Sequence, residues 1–195
     1  MTTDAARVEG PITRRGSGLV RRTAQGDQSA FAAIVDEFGD GILRRALAIL
    51  RDEADARDAT QETLLRVWRD LPGLRSEERF EAWLDRILVN VCRDRLRHRG
   101  RIRVREIRPE IRVDGTEWYG SGFTDPHAGD DRRASIETAF KTLSVDDRSL
   151  LVLHHLESRS VADLASVMRV PVGTVKRRLH TARARLQRAL DEESR

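Results

Sequence analysis

Apolar positions recur every three or four residues along much of this chain, the spacing of helices that each bury one stripe. The segment Leu19 to Gln25 predicts a short helix stopped at Gly26. Asp27 is placed to cap the next helix, whose apolar positions are Phe31, Ile34, Val35 and Phe38. Gly39 and Gly41 are expected to loosen it before Ile42, Leu43, Ala46, Leu47 and Leu50 resume the pattern. A third helix is predicted from about Ala54 to Leu71, closed by Pro72-Gly73, and a fourth from about Phe80 to Arg99, with Gly100 after it.

The pattern changes between Gly100 and Arg133. RIRVREIR alternates with period two, as a strand does, but no partner strand is evident. The DGTEWYGSGFTDPHAGDD that follows is rich in turn formers, so the segment reads as a linker. Helical spacing returns from Ala134 to Leu143. Ser144 then caps a helix through His155, with Asp147 adding negative charge in its first turn. SRSVADLASVMRV predicts a short helix and a turn before a last helix whose stripe is Val172, Val175, Leu179, Ala182 and Leu186. Met1 to Ser17 is polar and unpatterned. The expected fold is all-α: two small helical domains joined by a flexible linker, the C-terminal one a helix-turn-helix. The expected divisions are a flexible tail at 1–17, a helical domain at 18–100, a linker at 101–133 and the helix-turn-helix domain at 134–191.

Aromatic residues make up 5% of the chain, so the cores must rest on Leu, Ile, Val and Ala. Among the 36 basic residues only Lys141 and Lys176 are lysines. Clustering says more than abundance: every second residue from Arg93 to Arg105 is Arg, and no acid appears from Arg169 to Arg188. Two basic segments far apart in sequence suggest an extended polyanion held at two places. A single cysteine, Cys92, excludes a disulfide framework within one chain and fits a reducing compartment. No apolar run approaches membrane-spanning length and the N-terminus lacks the apolar core of a signal peptide. A cytoplasmic protein without membrane insertion is expected.

Three helices carry candidate chemistry. In the last, Gly173, Arg177, His180, Thr181 and Ala184 fall opposite the buried stripe at 100° per residue. Lys176 and Arg183 flank the stripe on one side, Arg178 and Arg185 on the other. A helix in the major groove needs such an outward face for base edges and cationic flanks for two phosphate ridges. In the fourth helix, Arg86, Asn90, Arg93 and Arg97 share one flank, with Asp94 one turn after Asn90 and placed to orient its amide. This pattern suits a single strand, whose backbone cations track while an amide reads a base; it equally suits a solvated face with an incidental Asn. In the third, Leu65 points outward among Asp58, Gln61, Glu62 and Arg69, a pattern open to protein docking or to an unremarkable exposed Leu.

Enzymatic motifs are absent from the sequence: there is no Cys cluster for a metal, no phosphate-binding Gly loop and no Ser-centred elbow. His154 and His155 are adjacent, so a helix points them apart, and Cys92 reads as a packing residue. The expectation is a protein that is not an enzyme and holds no cofactor or metal.

These residues resemble a known family. DARDATQETLLRVWRDL is similar to the polymerase-binding helix of bacterial sigma-70-type factors, and RFEAWLDRILVNVCRDRLR to the promoter-melting segment that follows it. The C-terminal helix-turn-helix with GTVKRRLHTAR is similar to the module that reads the −35 element. With two modules and no room for a central domain, the chain resembles the extracytoplasmic-function (ECF) group. The resemblance implies that Asp58, Gln61, Glu62 and Leu65 dock on the clamp coiled coil of RNA polymerase core. It implies that Arg86, Asn90, Arg93, Asp94 and Arg97 handle the unpaired −10 strand, and that Thr174, Lys176, Arg177, Arg178, His180, Thr181 and Arg183 meet the −35 duplex. It also implies regulation by an anti-sigma factor.

Two departures from the family pattern stand out. Ala59 and Thr60 replace a bulkier apolar pair in the docking helix, which implies a weaker hold on core. Arg169 stands where the turn normally has Gly; a left-handed conformation there costs a non-Gly residue about 1 kcal/mol. Two readings from other classes use the same features: a one-component helix-turn-helix regulator acting without polymerase core, and an RNA-binding adaptor.

Overall fold

A computed structural model describes residues 16–105, 136 and 138–193. Among the described residues all regular structure is helical. Helix α1 spans Gly16–Ala24, α2 Gln28–Leu50, α3 Glu53–Asp70 and α4 Phe80–Arg105, with short 3-10 turns at Leu71–Gly73 and Glu77–Arg79. A helix at 138–142 (α5) follows, then α6 at Val145–Leu151, a π-helical turn at Val152–Leu156, α7 at Val161–Met168 and α8 at Val172–Glu193. Most of the expected tail and most of the linker lie outside the described residues; Gly16 and Ser17, assigned to the tail, begin α1.

Local chemistry sets the helix starts. Asp27, in extended backbone, accepts from the N–H groups of Ser29 and Ala30, and Asp52 accepts from that of Asp55. Ser144 does the same for α6, and Ser160 with Asp163 forms a capping box on α7. Gly39 and Gly41 do not interrupt α2, contrary to expectation: Phe38, Ile42 and Ala46 bury on one continuous stripe around them. Likewise α4 runs on through Gly100 to Arg105, so its first alternating residues are helical rather than extended. One interior Gly costs about 1 kcal/mol relative to Ala, too little to end a helix held by tertiary packing.

Helices α1 to α4 enclose one core, in which Ile34, Ile42, Ile49, Val67, Leu84 and Leu88 are fully buried. Ala56 and Ala59 are also fully buried, and their small side chains let α3 lie close against its neighbours. The second core joins α6, α7 and α8 through Leu150, Leu153, Leu164, Val167, Val175 and Leu179. Val172, assigned to the buried stripe of α8 by its spacing, is the first residue of that helix and is 44% exposed. Cys92 is buried, and desolvation pushes its thiol up to about 12, which suits a packing residue.

The modules touch each other. Helix α4 packs against α6 and α7 as well as against α2 and α3. Val89, fully buried, belongs to the second core, and Val152 of the C-terminal module belongs to the first. Between them lies a charged cluster. Asp85 is fully buried, with Arg159 Nε 2.8 Å from Oδ2 and Arg45 Nη1 2.9 Å from Oδ1, the latter off the line of a hydrogen bond. Burial raises the pKa of the Asp85 carboxyl against the pull of both guanidiniums.

Candidate nucleic-acid interface

The helix-turn-helix is built by α7, the turn and α8. Arg169 ends α7 in the left-handed region, φ 54° and ψ 47°, with its N–H on the carbonyl of Ala165. The Arg that replaces the usual Gly therefore adopts the conformation the turn requires rather than rearranging it. Val170 packs on the second core, and the Pro171 carbonyl accepts from the N–H groups of Thr174 and Val175, starting α8.

On α8, burial of Val175, Leu179 and Ala182 turns the opposite face outward. Gly173, Lys176, Arg177 and His180 are exposed, and Thr174 and Arg178 are half-buried. Among the described residues no hydrogen bond or ion pair involves the side chains of Lys176, Arg177, Arg178 or His180, so their donors face solvent. Thr181 returns its hydroxyl to the Arg177 carbonyl, 3.0 Å away. Arg183 is exposed but donates to His155 Nε2 at 3.2 Å, and Arg185 is paired with Asp147. Desolvation, then the charges of Arg183 and His154, lower the pKa of His155. His154 and His155 do not point apart as expected; on the π turn their rings meet edge to face, 4.9 Å between centroids.

On α4 the alternating arginines separate by partner. Arg95 bonds Asp58 at 2.6 Å, and Arg99 reaches Asp52 and Asp55, so both fasten α4 to α3. Asn90 and Arg97 are exposed; Arg86 and Arg93 are half-buried. Arg93 donates to Asn90 Oδ1 at 3.2 Å, and its Nε lies 2.6 Å from Asp146 of the C-terminal module. Asp94 pairs with Arg66 and Arg97, each at 3.7 Å, so the Asn90 amide is oriented by Arg93 and not by Asp94. Desolvation, then the nearby charge of Arg169, lowers the pKa of the Arg86 guanidinium.

On α3, Leu65 is 64% exposed. Gln61 and Asp58 are exposed beside it, and Glu62 bonds Arg66 at 2.7 Å. Ala59 is buried on the inner side and Thr60 bonds back to the Ala56 carbonyl, so the two departures in this helix fall on packing rather than on the Leu65 face. Sequence reasoning missed Asp146, Arg159 and Arg148. Each is an ordinary charged residue until the fold sets it against α4 or α2, and no spacing announces that. Among the described residues no group of His, Cys, Asp or Glu is placed to hold a metal, and no helix is long and apolar enough to cross a membrane.

The arrangement has an exposed Leu among polar residues on α3, a basic stripe with an amide on α4 and an outward basic face on α8. Comparison with known proteins gives a match for each module. Residues 34–102 match the family described as Sigma-70 region 2, and residues 133–186 match Sigma-70, region 4. The chain is 30% identical to the RNA polymerase sigma-H factor of Pseudomonas aeruginosa, over 88% of this chain and 92% of that one. It is 31% identical to the ECF RNA polymerase sigma-E factor of Haemophilus influenzae, over 87% and 92%. Its fold is similar to that of the sigma factor RpoE in complex with the anti-sigma factor NepR from Bartonella quintana, at 25% identity and a TM-score of 0.66, covering 83% of this chain and 96% of that one. It is also similar to CnrH in complex with the cytosolic domain of CnrY, at 25% identity and a TM-score of 0.63, covering 91% and 97%. The chain belongs to the ECF group of bacterial RNA polymerase sigma factors.

Proposed function

We propose that this sigma factor docks on polymerase core through Asp58, Gln61, Glu62 and Leu65 of α3, then brings two readers to the promoter. In this reading α8 enters the −35 major groove, with Arg177, His180 and Thr181 toward base edges and Thr174, Lys176, Arg178 and Arg183 toward phosphates. The α4 stripe of Arg86, Asn90, Arg93 and Arg97 takes the unpaired −10 strand, with Asp94 holding Arg97. The 18–100 module serves core and the −10 element, 134–191 serves the −35 element, and 101–133 joins them. The chain acts in the cytoplasm, where core and chromosome are, and performs no catalysis of its own. The similar sigma factor RpoE, solved with the anti-sigma factor NepR, supports an anti-sigma partner for this chain too.

The observation that carries this reading over a regulator acting without core is Leu65. A single exposed Leu is ordinary by itself, but this one stands among Asp58, Gln61 and Glu62 inside the stretch that matches Sigma-70 region 2, which favours docking on core. Leu65→Arg buries no charge and breaks no core contact, so helical content should be unchanged. In a competition for core polymerase the variant should be displaced by wild type at least tenfold more readily, since a central apolar anchor contributes about 2 kcal/mol or more. Equal competition would remove α3 as the docking face.

A further inference from the structure

A contact inside the C-terminal module joins Arg183 to His155. Helix α8 carries Arg183 about two turns after Lys176, on the same flank, and both are exposed. The Arg183 Nε donates to His155 Nε2 at 3.2 Å, and among the described residues no other hydrogen bond or ion pair involves its side chain. Both terminal nitrogens of the guanidinium are left for a partner outside the module. His155 stands on the π-helical turn that follows α6, where its ring meets that of His154 edge to face, 4.9 Å between centroids. Successive side chains of a regular α-helix would point about 100° apart. The His154 ring is itself pinned, its Nδ1 2.9 Å from the Arg159 carbonyl. So the acceptor offered to Arg183 sits against an anchored ring.

We propose that His155 is a positioning residue for the −35 duplex: it holds the Arg183 guanidinium on the flank of α8 with both terminal nitrogens free for a backbone phosphate. This rests on the reading of α8 as the −35 helix. An arginine side chain has many rotamers, and ordering it on binding costs free energy. Fixing Nε before DNA arrives removes part of that cost. A phosphate takes two parallel donors from one guanidinium edge, and the edge made by the two Nη nitrogens is the one His155 leaves open. The contact also depends on protonation. Nε2 accepts only while the ring is neutral with its proton on Nδ1; a protonated imidazole donates from both nitrogens. Around His155 stand Arg183 of α8, His154 of the same turn and Arg51 of α2, which lines the same groove; no carboxylate lines it among the described residues. Desolvation and the charges of Arg183 and His154 disfavour the protonated ring. Sufficient acid therefore breaks the contact, because a protonated ring has only cations and apolar groups to face.

The test measures holoenzyme binding to a duplex promoter fragment at several salt concentrations. Arg183→Ala should weaken binding roughly tenfold and lower the salt slope by about one unit, as one lost phosphate contact does. His155→Leu removes the acceptor and keeps the bulk. It should weaken binding roughly fivefold with the slope unchanged, because the phosphate contact still forms at a higher ordering cost. In an Arg183→Ala background His155→Leu should have no effect, and His155→Gln, which still accepts, should bind as wild type does. If the Leu variant loses helical content, His155→Ala answers the same question. Between about pH 8 and about pH 5 the loss caused by Arg183→Ala should shrink in the wild-type sequence and stay constant in His155→Gln. Undiminished binding by His155→Leu would overturn the inference, and so would a His155→Gln variant as weak as the Leu one. An equal loss with and without Arg183 would also overturn it, by making His155 part of the packing of its module. If Arg183→Ala binds normally while Lys176→Ala does not, the −35 reading stands and the inference falls. If neither weakens binding, the −35 reading falls and the inference with it.

Discussion

Lys176 and Arg177 are neighbours in sequence but sit about 100° apart on α8, which gives them different work. Arg177 lies opposite Val175 and Leu179, where in the proposed reading a guanidinium offers two donors to one guanine; Lys176 lies nearer the buried edge, where that reading puts a phosphate ridge. Arg177→Ala should cost about 1–3 kcal/mol on the preferred promoter and relax specificity at one −35 position. Lys176→Ala should weaken all promoters nearly equally and reduce the salt slope by roughly one unit. Holoenzyme binding to a randomised −35 library at several salt concentrations reads both. Changed preference with Lys176→Ala and intact preference with Arg177→Ala would mean that the helix is rotated in its groove. At this scale the sequence was informative wherever one local rule governs. The outward Gly173, Arg177 and His180 of α8 followed from helical phase, whereas the sequence left open whether Arg169 would keep the left-handed turn or rearrange it. The partner of Asn90 did not follow either, because a long Arg at i+3 and a short Asp at i+4 reach the same amide equally well on paper.

The helices themselves were legible in number and nearly in extent, since caps and apolar stripes act within a few residues. Misreadings came where packing overrides a glycine, at Gly39, Gly41 and Gly100. The caps carry a consequence for acid stability. Asp27 is held well below the usual carboxylate range by hydrogen bonds from Ser29 and Ala30 and by Arg22; Asp52 is lowered chiefly by the Asp55 N–H, with Arg99 adding to it. A carboxyl with a lower pKa folded than unfolded stabilises the fold above its unfolded value, near 3.8, and that contribution disappears as pH falls through the folded value. Melting temperature should therefore fall as pH drops from about 5 to about 2. Asn still accepts the capping hydrogen bonds but does not titrate, so the double variant Asp27→Asn, Asp52→Asn should show a shallower decline. Parallel curves for wild type and variant would place the acid sensitivity elsewhere.

For the whole molecule, two helical modules and their order could be read from the chain, but their contact could not. It depends on pairs such as Arg93 with Asp146 and Arg159 with Asp85, distant in sequence and free of periodicity. Division of labour among α3, α4 and α8 is the central claim, and run-off transcription tests it most directly. Purified core and this chain together should give defined transcripts from duplex genomic promoter fragments, and neither component alone should give them. Asn90→Ala should impair transcription from duplex DNA, and the defect should shrink on a template already mismatched across the −10 element, where unpairing has been supplied. Defined transcripts from core without the chain, or promoter-specific binding by the chain without core, would contradict the account; so would an Asn90→Ala defect of equal size on both templates.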